Sequence, residues 1–151
     1  MSRVAHTETF EINQPIERLF PLFSAEGETF WVPGWEYDNV MGTTEMHEDY
    51  VFVTRAHDHS ATEAVWIVKR HQPEAHRVEF YKVETGDKVG VVSVRCSEIA
   101  ATATRVEVTY EYVSLSAAGD EYIRGFTAEA YRAFISEWKM LLDDYFERLD
   151  S

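Results

Sequence analysis

From Asp120 onward, Ile123, Phe126, Ala130, Phe134, Trp138, Leu141, Tyr145 and Leu149 recur at steps of three or four, and Tyr131, Ile135, Leu142 and Phe146 widen the stripe. The spacing predicts one helix of about 30 residues, with Asp120 as its N-cap after an Ala117-Ala118-Gly119 turn. A helix so aromatic along one side needs a broad apolar partner, because its stability comes from packing rather than propensity. The preceding sequence supplies one. Segments 3–12, 37–41, 50–55, 61–71, 77–83, 89–99 and 104–115 carry β-type patterning, separated by short turn-like breaks. In the last of these, Val106, Val108, Tyr110 and Tyr112 alternate with Arg105, Glu107, Thr109 and Glu111, giving one dry and one wet face. Breaks this short favour antiparallel neighbours.

One insert interrupts the β pattern. Asn13 or Gln14 can cap a short helix with Pro15 at its first position, and Ile16, Leu19, Phe20 and Phe23 follow at helical spacing until Pro21 kinks or ends it. Phe30-Trp31-Val32-Pro33-Gly34-Trp35 then forms an aromatic loop around a Pro-Gly turn. The order is therefore strand, helix-and-loop insert, run of strands, long helix. It describes an α+β fold in which a curved sheet grips a helix, and 151 residues suit a single domain, 1–151.

Composition narrows the function. The net charge of −13 disfavours nucleic acid and anionic membrane surfaces. Cys96 is the single cysteine, so an internal disulfide is impossible, and its apolar strand context reads as a buried, inert thiol. No run approaches the roughly 20 apolar residues of a membrane span, and the first residues lack a signal core. The chain is expected to be soluble and cytoplasmic, a monomer or homodimer, without membrane insertion.

The chain resembles the START-related superfamily with the helix-grip fold, SRPBCC, and is most similar to its polyketide-cyclase-like and activator-of-heat-shock-ATPase-like branches. The resemblance spans essentially the whole chain. It rests on Phe10-Glu-Ile12, Pro15-Ile-Glu-Arg-Leu-Phe20, Glu26-Gly-Glu28, Trp31-Val-Pro-Gly-Trp35, Val108-Thr-Tyr110, Leu115-Ser116 and the terminal helix through Trp138. These residues bear the fold rather than a reaction. The resemblance implies a seven-stranded antiparallel sheet, two short helices after the first strand, a long C-terminal helix and a cavity between sheet and helix.

Trp31, Trp35, Trp66, Phe80, Tyr110, Tyr112, Phe126 and Phe134 are the candidate ligand-binding residues, apolar with tyrosine hydroxyls as polar handles. The same residue types also suit a plain core, and the Trp31–Trp35 loop suits a plug as well as a lid. His57-Asp-His59, with His47 or Glu63, has metal-ligand spacing but falls in a turn where polar residues are ordinary, so no metal is assigned and no cofactor is expected. Arg95 either points inward to clamp a carboxylate or outward opposite Glu107. Sequence signatures of hydrolases, phosphate loops, dinucleotide sites and zinc proteases are absent. The leading expectation is a protein that binds a hydrophobic or aromatic small molecule, lipid- or polyketide-like. An enzyme of cyclase, dehydratase or hydrolase type using the same cavity is the first alternative, and a cochaperone-like interaction module is the second.

Overall fold

The computed structural model describes residues 2–55 and 63–151. The strands are β1 (Arg3–Ile12), β2 (Tyr37–Asp38), β3 (Val51–Thr54), β4 (Ala64–Gln72), β5 (Arg77–Glu84), β6 (Lys88–Ala100) and β7 (Ala103–Ser114). A short helix α1 (Ile16–Leu19) and two 3₁₀ turns (Phe20–Leu22 and Gly27–Phe30) follow β1; α2 (Ala117–Gly125) and α3 (Ala128–Leu149) close the chain. Among the described residues, the strands form one seven-stranded sheet in the order β1-β7-β6-β5-β4-β3-β2. Every pair is antiparallel. Consecutive strands from β2 to β7 pair as a meander, and β1 pairs along β7. Register shifts between Val68 and Arg70 and between Glu98 and Ala100 bend the long strands, as bulges do.

Period-two alternation decides which side is core. On β7, Thr104, Val106, Val108, Tyr110, Tyr112 and Ser114 are buried, whereas Arg105 and Glu107 are exposed. On β6, Val92, Val94 and Cys96 are buried and Arg95 is exposed, with Glu107 directly opposite on β7. Arg95 thus faces outward. Burial pushes the Cys96 thiol up to about 12, so it stays protonated and inert.

The concave face of the sheet receives α3 through Tyr131, Ile135, Trp138, Leu142 and Phe146. The Tyr131 hydroxyl donates to the Val108 carbonyl at 2.6 Å, tying α3 to β7. Below α3, the insert is held by its tryptophans. Trp31 Nε1 donates to the Leu22 carbonyl at 2.9 Å, and Trp35 Nε1 to the Ala25 carbonyl at 2.8 Å.

The closing element is two helices, not one. Gly125 ends α2, Phe126 takes φ −87° and ψ 64°, and Thr127 caps α3 by accepting from the Ala130 N–H at 3.1 Å. The cap of α2 is Ser116, whose hydroxyl accepts from Gly119 N–H at 3.2 Å; Asp120 lies in the first turn instead. His6 Nε2 donates to the carbonyl freed at Phe126, at 2.7 Å, which satisfies the break from β1. No helix among the described residues is long and apolar enough to cross a membrane. His57 and His59 lie outside the described residues.

Candidate functional site

The break at Phe126 lets α2 and α3 diverge, and α3 bears on the sheet most closely through its buried stripe. Between the helices and the sheet lies a cavity of about 730 Å³. Trp66 from β4, Lys82 from β5 and Tyr110 and Tyr112 from β7 form its floor. Tyr122 and Gly125 of α2, with Phe126 at the break, line one side, and Ala130, Phe134 and Trp138 of α3 the other. Val32, Pro33 and Trp35 from the aromatic loop close an end, and Glu28, Glu121 and Glu137 complete the lining. Glu121 and Glu137 are exposed and mark the rim, whereas the half-buried Glu28 also borders a deeper void beside Tyr110.

Six of the eight residues singled out in the sequence line this space: Trp35, Trp66, Tyr110, Tyr112, Phe126 and Phe134. Phe80 lies deeper, at a void of about 20 Å³ shared with Phe23, Phe52, Val92 and Val94. Trp31 lies outside the lining, 2% exposed, with its indole edge-on to Trp138 at 5.4 Å and to Phe23 at 5.9 Å. It wedges the insert against α3.

The rings hold one another in tilted and edge-to-face arrangements that favour aromatic pairs. Tyr110 meets Phe134 at 5.5 Å, Tyr112 meets Phe126 at 5.2 Å, and Tyr122 meets Tyr112 at 5.5 Å. Gly90 makes room for one of them. It stands between Lys82 and Tyr112 in the sheet, and a Cβ there would lie 2.8 Å from the Tyr112 ring. Burial raises the Tyr110 phenol well above its ordinary value. Burial, then the neighbouring Tyr112, raises Tyr122 despite Lys82 and Lys88 nearby. These phenols remain protonated at neutral pH and can donate hydrogen bonds into the cavity.

Two lysines underlie the tyrosines. Lys88 is ion-paired with Glu84 at 3.1 Å and Asp87 at 2.8 Å, and its ammonium sits 3.7 Å from the Tyr122 ring centre. Lys82 is 5% exposed, 3.5 Å from the Tyr112 hydroxyl, with its ammonium over the Trp66 and Tyr112 rings at 5.2 and 5.9 Å. Lys82 is not among the residues expected at the cavity, although alternation from Phe80 places it on the inner face. Trp138 belongs to the helical stripe and Tyr122 falls off its spacing, and neither is among the residues expected at the cavity.

The histidines lie elsewhere. His6 serves the helix break, and His71 and His76 pack around Phe20 at 6.2 and 5.7 Å. Among the described residues, no group of three or more His, Cys, Asp or Glu side chains is placed to hold a metal ion.

No protein-family model matches the chain, and no curated protein matches it in sequence. Solved structures do match in shape. An aromatase/cyclase from Streptomyces sp. R1128 superposes with a TM-score of 0.71 at 14% identity, covering 98% of this chain and 96% of that one. A START superfamily protein from Mycobacterium smegmatis gives 0.69 at 11% identity, covering 97% and 98%. Norcoclaurine synthase from Thalictrum flavum, solved with dopamine and hydroxybenzaldehyde, gives 0.67 at 9% identity, covering 93% and 87%. The chain has the helix-grip fold, the architecture of the START-related proteins that its sequence resembles.

Proposed function

We propose that this protein binds a hydrophobic or aromatic small molecule, lipid- or polyketide-like, in the cavity between its sheet and its closing helices. The observation that carries the reading is an aromatic-walled space of about 730 Å³ with a few polar groups at fixed places. Ligand pockets commonly span about 300–1,000 Å³ and have this composition. The structural likeness to norcoclaurine synthase, solved with two aromatic ligands, supports it. The test is a fluorescence titration with N-phenyl-1-naphthylamine, a neutral polycyclic probe. Saturable binding is expected, and Ala130→Phe, which adds a ring at the cavity wall, should weaken it by about tenfold or more. Unchanged affinity in a folded Ala130→Phe protein would place the probe elsewhere and count against the cavity.

A second reading is an enzyme of cyclase, dehydratase or hydrolase type in the same space. It is favoured by the ammonium of Lys82 and the phenols of Tyr110, Tyr112 and Tyr122 meeting at one void. A reactive chain folded against such walls would be oriented for ring closure, with proton donors at hand.

A further inference from the structure

The cavity floor contains a cation that the apolar reading does not explain. On β5 the inward positions are Val78, Phe80, Lys82 and Glu84, all buried. An ammonium taken from water is costly unless a counter-charge and hydrogen bonds compensate it. Glu84 is the nearest acid along that face, and it is engaged by Lys88 at 3.1 Å, where both side chains are almost fully buried. Lys82 itself has the Tyr112 hydroxyl at 3.5 Å and two ring faces. An ammonium has three donors, and a single neutral oxygen at that distance uses one of them weakly. Ring faces attract a cation but accept no proton-directed bond of comparable strength.

We infer that Lys82 is the anchor for an acidic oxygen of the ligand, so that the cavity takes an anionic aromatic molecule with its carboxylate, sulfonate, enolate or phenolate directed at β5. This rests on the binding reading above and specifies its ligand class. The arrangement is polar along one axis: a cation at the floor, aromatic walls in the middle and the exposed carboxylates of Glu121 and Glu137 at the rim. A ligand carrying its acid group at the outer end would set it against those carboxylates, and one carrying an amine at the inner end would set it against Lys82. The favoured orientation is acid inward, with the apolar body between Trp35, Phe126 and Phe134.

The test compares two probes with one ring framework. 1-Anilinonaphthalene-8-sulfonate carries a sulfonate; N-phenyl-1-naphthylamine lacks it. Both are titrated into wild type, Lys82→Met and Lys82→Arg at one ionic strength. In wild type the sulfonate probe should bind more tightly than the neutral one. Lys82→Met should weaken the sulfonate probe by about tenfold or more and leave the neutral probe within about twofold, as expected for loss of a charge-assisted hydrogen bond. Lys82→Arg should keep the preference for the anion. Lys82→Met should melt at or above the wild-type temperature, since it removes a buried charge, so lost binding cannot be put down to unfolding. Equal weakening of both probes in Lys82→Met, or no preference for the anion in wild type, would overturn the inference while leaving the cavity reading intact. If neither probe binds wild type, the cavity reading fails and the inference falls with it.

Discussion

Asp120 illustrates how one side chain can do a different job from the one its position suggests. As a short acidic residue after an Ala-Ala-Gly turn it reads as an N-cap, yet Ser116 holds that place. Asp120 instead accepts the Ser114 hydroxyl and, at 2.9 Å, the Ser2 N–H, joining the start of β1, the end of β7 and the first turn of α2. Those bonds, Ser114 first and Ser2 second, pull its carboxyl down to about 2. A carboxylate depressed on folding contributes stability that is complete above its unfolded value of 3.8 and is lost as pH falls toward 2. The melting temperature of wild type should therefore drop more steeply over that interval than that of Asp120→Asn, measured by circular dichroism; parallel profiles would show that the contact does not discriminate between the protonation states. Lys82 is a different case. Its inward direction was already implied once Phe80 was placed inside, because side chains two apart share a face. A lysine on a strand is ordinarily read as surface, and that expectation concealed the one feature of the site with a chemical direction.

At the level of elements, the strands were legible because alternation and turn residues agree. The segments expected at 77–83 and 89–99 became Arg77–Glu84 and Lys88–Ala100, each within a residue of its limits. The strand expected at 37–41 shrank to Tyr37–Asp38, since only Tyr37 and Asp38 find partners on β3 and Val40 and Met41 are exposed. The helix break was hidden for a specific reason: Phe126 keeps the three-and-four spacing of the stripe, while Gly125 and Thr127, the residues that end one helix and cap the next, lie off it. Which face of a helix packs cannot be inferred from spacing alone either. Leu149 continues the stripe yet is exposed, and Phe134 is only half-buried because it faces the cavity. The position of α2 depends on Gly119, where a Cβ would stand 2.1 Å from the Asp87 carbonyl oxygen in the β5–β6 turn. Backbone leaves no room to relax, so Gly119→Ala must push α2 away. Urea denaturation should show a loss of about 1–3 kcal/mol. Because α2 carries Tyr122 and leads directly into Phe126, neutral-probe affinity should fall as well; retained stability and affinity would mean that the helix docks without this close approach.

The whole molecule has a net charge of −13, and its cavity has a carboxylate rim over a lysine floor. For an anionic ligand these oppose each other over different distances. The surface acids act at long range through solvent and repel the approaching anion, whereas Lys82 acts only once the ligand is inside, where its charge is shielded from salt by burial. Salt should therefore separate the two steps. Screening extends about 30 Å at 0.01 M and about 10 Å at 0.1 M, so raising ionic strength removes the repulsion at the mouth before it affects a buried contact. In stopped-flow mixing, the association rate of 1-anilinonaphthalene-8-sulfonate should rise by about three- to tenfold between 0.01 M and 0.3 M sodium chloride, with little change in dissociation rate. The neutral N-phenyl-1-naphthylamine should show neither effect. Lys82→Met should keep the salt dependence of association and speed dissociation, because the rim is unchanged while the anchor is gone. An association rate that falls with salt would mean the anion is drawn in from a distance, which a mouth bordered by Glu121 and Glu137 on a chain this acidic cannot do.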